Sequence, residues 1–159
     1  HPEAKQIVNA VKKREEYRPF AGSVMLEHAP DWFHMLQLKE SPWMSFAIQA
    51  KDIAFEKVPT LVHADGTCRI QTVTEEQNKN YYNLIKGFYE RTEVPMIFNT
   101  SFNLGGEALV ETIEDAIDTC NRSEINVLYI PEDQEINIPY HLIKFKNEEE
   151  ISVNNNSES

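Results

Sequence analysis

The sequence predicts an α/β domain on three observations. Two long stretches carry apolar residues at helical spacing, several short apolar runs are bounded by turn residues, and a polar loop follows one of those runs directly. From Pro2 to about Glu16, Ala4, Ile7, Val8 and Val11 recur on one helical face, with proline at a tolerated first-turn position. Arg18 precedes Pro19, which disfavours helix there, and Ala21 to Glu27 then reads as a strand. Ser41 to Ala50 reads as a second strand, alternating through Met44, Phe46 and Ile48. Thr60 to Ala64 and Cys68 to Val73 flank Asp65-Gly66, a dipeptide favoured in tight turns because it tolerates positive φ, so a β-hairpin is expected. On its second arm Thr67, Arg69 and Gln71 share a polar face, opposite Cys68 and Ile70.

Asn78 to Glu93 is the clearest helix, with Tyr81, Tyr82, Leu84, Ile85, Phe88 and Tyr89 forming a broad stripe that must pack on a sheet. Pro95 to Phe98 follows as a buried strand and runs into Asn99-Thr100-Ser101-Phe102-Asn103, then Leu104-Gly105-Gly106. Thr112 is placed to cap a helix over Ile113 to Thr119, with Asp115 in the position of the capping-box acid. Asn126 to Ile130 reads as the next strand. From Asn147 the chain is polar and acidic, too poor in apolar residues to offset its ordering entropy. The division expected is therefore one domain over residues 1–146 and a disordered acidic tail over 147–159.

A chain of 159 residues matches one domain able to bury about two-thirds of its unfolded surface. No stretch has the length of an apolar membrane span, and the N-terminus lacks the pattern of a signal peptide, so a cytoplasmic protein without membrane contact is expected. Its start at His1 rather than Met suggests an excised or processed piece. Cys68 and Cys120 have no metal-ligand spacing, and buried free thiols are expected, with no metal site. The formal charge of −11 argues against nucleic acid as main partner. That charge is uneven: 9 Lys/Arg face 9 Asp/Glu through Val73, and 6 face 17 from Thr74 onward, which leaves room for a basic cleft in the first half.

Several clusters bear on chemistry. Lys12-Lys13-Arg14-Glu15-Glu16-Tyr17-Arg18 reads either as a solvated helix terminus or as an anion clamp in which Lys12, Arg14 and Arg18 bind phosphate or carboxylate. Asn99, Thr100, Ser101 and Asn103 present polar side chains just after a buried strand, where open α/β sheets place ligands; a turn held by side-chain-to-backbone bonds is the other reading. His63, Asp65, Thr67 and Arg69 surround the expected hairpin, as general-base or ligand groups or as ordinary surface polars. Ser41-Pro42-Trp43-Met44 is either an anion contact beside a stacking aromatic or a strand start with a core tryptophan. His28, His34 and His141 lack companions and receive no role.

Taken in order, KKREEYRPFAGSV, SPWMSFA, VHADGTCRIQTV, VPMIFNTSFNLGGEALV and INVLYI resemble the C-terminal domain of NodU/CmcH-type O-carbamoyltransferases, over about His1 to Ile130. The resemblance implies a YrdC-like fold, a twisted mixed α/β sheet flanked by helices around a deep nucleotide-binding cleft. It implies that carbamoyl phosphate and ATP, with Mg²⁺, react there to give carbamoyl adenylate and pyrophosphate. A separate ASKHA-like N-terminal domain, which holds its own metal, would pass the carbamoyl group to an acceptor hydroxyl.

The Lys-x-Arg and Ser-x-Asn signature of that fold matches Lys12-Lys13-Arg14 and Ser101-Phe102-Asn103. Arg18 matches the arginine of Arg-Pro-Phe-Ala, and Arg69 that of Asp-Gly-Thr-x-Arg-x-Gln. Lys12, Arg14 and Arg69 are thus the implied catalytic residues, with Arg18, Ser41, His63, Asp65, Thr67, Asn99, Thr100, Ser101 and Asn103 binding substrate and nucleotide. Two positions depart from the family: Gly22 stands where it usually has proline, and Gly105 where it often has Arg or His, which removes a pocket cation. A non-catalytic docking domain and a threonylcarbamoyl-adenylate synthase are the alternatives the same residues admit.

Overall fold

The computed structural model describes residues 1, 3–131, 141–146 and 149–152, with backbone alone at 141, 145–146 and 149–152. The chain divides into two compact units. One comprises His1–Ile7 with Glu15–Thr100, the other Val8–Arg14 with the chain from Ser101 onward. Each has its own cluster of buried apolar side chains, where length alone suggested one core.

The first unit is built on a four-stranded mixed sheet flanked by helices. Its strands are β1 (Ala21–Met25), β2 (Ala47–Gln49), β3 (Thr67–Val73) and β4 (Met96–Asn99), in the order β2-β3-β1-β4. β1 is buried along its whole length and lies parallel to β3 and antiparallel to β4. A parallel neighbour requires a crossover. The chain between β1 and β3 supplies it, carrying α2 (Ala29–Trp32), β2 and α3 (Asp52–Lys57). Helix α1 (Ala4–Lys12) precedes the sheet and contributes residues to both units.

Helix α4 (Lys79–Thr92) forms where the periodicity placed it. The Asn78 side chain accepts from the Tyr81 N–H at 3.0 Å, satisfying a first-turn donor, and Glu93 closes the helix in the left-handed conformation with its N–H on the Tyr89 carbonyl. Ile85 is fully buried and, with Tyr81, Tyr82 and Tyr89, packs on Met25, Val73 and Ile97 of the sheet. The packed stripe is narrower than predicted: Leu84 and Phe88 remain 47% and 42% exposed.

Two strand expectations are corrected. Only Ala47–Gln49 of the stretch from Ser41 to Ala50 is a strand, because Met44 takes a positive φ of 53° that breaks the extended run. Trp43 is 82% exposed and is no core residue. The tight turn at Asp65-Gly66 exists, with Gly66 at φ 80°, but the residues before it form a turn of 3₁₀ helix at Pro59–Leu61, so there is no hairpin. Its second arm, β3, pairs with β1 and β2 instead, and its polar and apolar faces alternate as predicted.

In the second unit, α5 (Ile113–Asn121) starts with the predicted capping box. The Thr112 hydroxyl accepts from the Asp115 N–H at 3.1 Å while the Asp115 carboxylate accepts from the Thr112 N–H at 3.1 Å. Hydrogen bonding from the Thr112 side chain and from its backbone N–H holds the Asp115 carboxyl below its ordinary range. Ala116 and Cys120 pack with Leu128, Phe102, Val110 and Ile143. β5 (Val127–Ile130), β6 (His141–Lys146) and β7 (Glu149–Ser152) form an antiparallel sheet in that order. Of the tail expected to be disordered, Glu149–Ser152 is placed as a strand; residues 147–148 and 153–159 lie outside the described residues. Cys68 and Cys120 are both buried free thiols, and burial pushes the Cys68 thiol up to about 12. Among the described residues no helix is long and apolar enough to cross a membrane.

Candidate functional site

Lys12, Ser101 and Asn103 are brought together within the second unit although 89 residues separate the first two. Helix α1 ends in paired 5→2 and 6→1 bonds, Lys13 N–H to the Ala10 carbonyl and Arg14 N–H to the Asn9 carbonyl, with Lys13 left-handed at φ 53°. The buried Lys12 sits in this last turn, where the helix dipole favours a cation. Its ammonium donates to the Ser101 carbonyl, to Ser101 Oγ at 3.2 Å and to Asn103 Oδ1 at 3.2 Å. Ser101 Oγ in turn donates to Asn103 Oδ1 at 2.7 Å, and Asn103 Nδ2 to the Glu107 carbonyl at 2.9 Å. Lys12 is therefore an organiser of the Ser-x-Asn turn as well as a cation beside it.

The first glycine after that turn, Gly105, has a concrete cause. The Gly105 N–H donates to the Lys12 carbonyl at 2.7 Å, and a Cβ at position 105 would stand 2.5 Å from the Lys13 carbonyl oxygen. Any side chain at this position is opposed by the close approach of two backbones. Glu107 forms a bidentate pair with Arg122 at 2.6 and 3.1 Å, and Arg122 also reaches Asp118 at 2.7 Å. Arg122 holds the Glu107 carboxyl below its usual range. Asn9, one helical turn before Lys13, is buried with neither amide atom hydrogen-bonded among the described residues. Sequence spacing gave no sign of it. Arg14, half-buried, belongs to this unit as well.

The remaining predicted residues lie in the first unit. Thr67 donates from its N–H at 3.0 Å and its hydroxyl at 2.7 Å to Asp65 Oδ1, and these bonds hold the Asp65 carboxyl below its ordinary value. His63 places Nδ1 3.2 Å from Thr67 Oγ1 and Nε2 3.4 Å from the Phe20 carbonyl. This cluster borders a cleft of about 380 Å³ whose wall includes Lys5, Tyr17, Phe20 and Val62 beside His63 and Asp65. Lys5 and Tyr17 were not singled out in the sequence: Lys5 lies outside the basic run, and Tyr17 looked like its spacer. Arg18 is exposed, with Glu15 at 3.8 Å. Ser41 is buried, and its N–H and hydroxyl are used internally, on Thr72 Oγ1 at 2.8 Å and the Ile70 carbonyl at 3.2 Å.

Pairing register aligns Arg69, Ala21 and Asn99 as one row across β3, β1 and β4, with Gln71, Ser23 and Ile97 as the next row on the same face. The side chain of Asn99 donates to Ser23 Oγ and Gln71 Oε1, each at 2.8 Å. Thr100 follows it as an exposed residue at the start of the loop.

Comparison with known proteins bears directly on this arrangement. A family described as "Carbamoyltransferase C-terminus" matches residues 1–134. Nodulation protein NolO of Bradyrhizobium diazoefficiens is 37% identical over 130 residues, covering 80% of this chain and 24% of that protein. Nodulation protein NolNO of Sinorhizobium fredii is 38% identical over 128 residues, 79% of this chain and 19% of its own length. Nodulation protein U of Rhizobium tropici is 32% identical over 125 residues, with shares of 79% and 21%. The chain thus spans about a fifth to a quarter of the length of these relatives.

Proposed function

The chain belongs to the carbamoyltransferase C-terminus family, and from that premise we propose that it binds ATP and carbamoyl phosphate and forms carbamoyl adenylate in a YrdC-like cleft. Carbamoyl phosphate is cleaved by water to phosphate and carbamate. A carbamate oxygen then attacks the α-phosphorus of ATP, and pyrophosphate leaves with Mg²⁺. A separate ASKHA-like domain would transfer the carbamoyl group to an acceptor hydroxyl.

The observation that carries this reading is the gathering of Lys12 with Ser101 and Asn103, the two halves of a nucleotide-binding signature, in a member of this family. The attack joins two anionic partners, so its transition state calls for preorganised cations; Lys12, Arg14 and Arg69 are those groups in this proposal. Ser101 and Asn103 position the nucleotide, and Arg18, His63, Asp65, Thr67, Asn99 and Thr100 serve the substrates. Ser41, whose N–H and hydroxyl both bond residues of β3, has a supporting role in this proposal rather than a substrate contact.

Titration calorimetry with Mg-ATP tests the nucleotide half of the proposal. Arg14→Ala is expected to weaken ATP binding by about tenfold or more, the loss of one charge-assisted contact. Unchanged affinity in a folded Arg14→Ala protein would remove Arg14 from the site.

A further inference from the structure

The side-chain amide of Asn99 has its orientation dictated by three other side chains, Gln71, Ser23 and Tyr81, and the hydrogen-bond inventory decides what it offers a ligand. The anchor is the Pro42 carbonyl, which can only accept. Gln71 Nε2 donates to it at 3.2 Å, which turns Gln71 Oε1 toward the interior of the network. Oε1 accepts from the Ser23 hydroxyl at 3.0 Å and from Asn99 Nδ2 at 2.8 Å. Ser23 Oγ also accepts from the Tyr81 hydroxyl and from Asn99 Nδ2, each at 2.8 Å. The Asn99 amide nitrogen is thereby held by the network, and flipping the amide would set two carbonyl oxygens against each other. The acceptor, Oδ1, is left for a ligand.

That acceptor stands in a defined place. Asn99 and Arg69 flank Ala21 on the same face of the sheet, with their Cα atoms two strand spacings apart, about 10 Å. A small acyl phosphate, together with the reach of an arginine, spans such a row, and alanine between them leaves room above the strand. Arg69 suits the phosphate end, and Oδ1 suits a donor at the other.

Resting on the function proposed above, we infer that Asn99 is the residue that reads the amino group of carbamoyl phosphate, accepting from its –NH₂, with Ser23, Gln71 and Tyr81 as positioning residues that fix the amide. The acetyl analogue, in which a methyl group replaces –NH₂, cannot donate. An amide acceptor set in this way rejects it, since the acceptor would lose hydration and gain no partner.

The test compares the dissociation constants of carbamoyl phosphate and acetyl phosphate for this chain and for Asn99→Ala. The native chain is expected to favour carbamoyl phosphate by about tenfold or more. In Asn99→Ala the preference should fall close to unity, with acetyl phosphate affinity changed less than about twofold. Should that variant fail to fold, Gln71→Met removes the carbonyl that orients the amide while keeping Asn99, and the same loss of preference is expected. A folded variant that keeps its preference, or that weakens both ligands equally, overturns the assignment while leaving the proposed function standing. No binding of carbamoyl phosphate by the native chain overturns both.

Discussion

Replacing Lys12 by methionine is expected to abolish most ATP binding, about a hundredfold or more, while leaving a folded chain. Methionine keeps the length and the apolar stem of the side chain and removes only the ammonium. Three acceptors, the Ser101 carbonyl, Ser101 Oγ and Asn103 Oδ1, then lose their common donor. Charged hydrogen bonds of this kind are worth about 1.5–3 kcal/mol each when broken one at a time. Here the native ammonium was itself desolvated, so relief of that burial offsets much of the loss. The net cost in stability is therefore expected to be about 1–3 kcal/mol. The cost in binding is larger, because both a phosphate-facing cation and the geometry of the Ser-x-Asn turn go together. Calorimetry with Mg-ATP reads the first effect, and amide hydrogen exchange over residues 101–107 reads the second. Full ATP affinity in Lys12→Met would contradict both roles.

Gly105→Arg introduces the cation that the motif resemblance would place at this position, and it is expected to damage the protein rather than improve it. The added Cβ would meet the Lys13 carbonyl oxygen at 2.5 Å and the Lys12 carbonyl oxygen at 3.2 Å. Neither atom can yield easily, since the end of α1 is pinned by the bonds from Lys13 and Arg14 to the carbonyls behind them. Overpacking of this kind costs about 1–3 kcal/mol, and separating the two segments would also lengthen the bond from the Gly105 N–H to the Lys12 carbonyl. Thermal melting should fall for Gly105→Ala and Gly105→Arg alike, and the arginine should not raise ATP affinity. A Gly105→Arg protein that melts unchanged and binds ATP more tightly would show instead that position 105 is a vacant cation site.

These two residues also show how far the sequence could be read. Elements set by local chemistry were legible: Asn78 and Glu93 bound α4, Thr112 and Asp115 form their reciprocal cap, and β3 keeps its two faces. Elements set by partners elsewhere in the chain were not. The Asp65-Gly66 turn signal is genuine, yet whether its arms pair with each other depends on β1, which takes the parallel edge of β3. Leu84 and Phe88 fit the helical period, but the width of the buried stripe is decided by the sheet beneath. At the site, charge and loop composition identified the segments around Lys12 and Ser101 without showing that they meet. The resemblance of ordered motifs implied a shared pocket, whereas no spacing rule predicts that Lys12 would donate into the Ser101–Asn103 turn. Gly105 was legible only as a departure. Its reason, two backbones in contact, lies in the tertiary structure.

The central claim is that this domain builds carbamoyl adenylate, and the most direct measurement of it is pyrophosphate release from Mg-ATP with and without carbamoyl phosphate. The account predicts pyrophosphate only when both are present, accompanied by orthophosphate in equal amount and suppressed in Lys12→Met. Absence of pyrophosphate from a folded chain supplied with both substrates, or release that ignores carbamoyl phosphate, would contradict it.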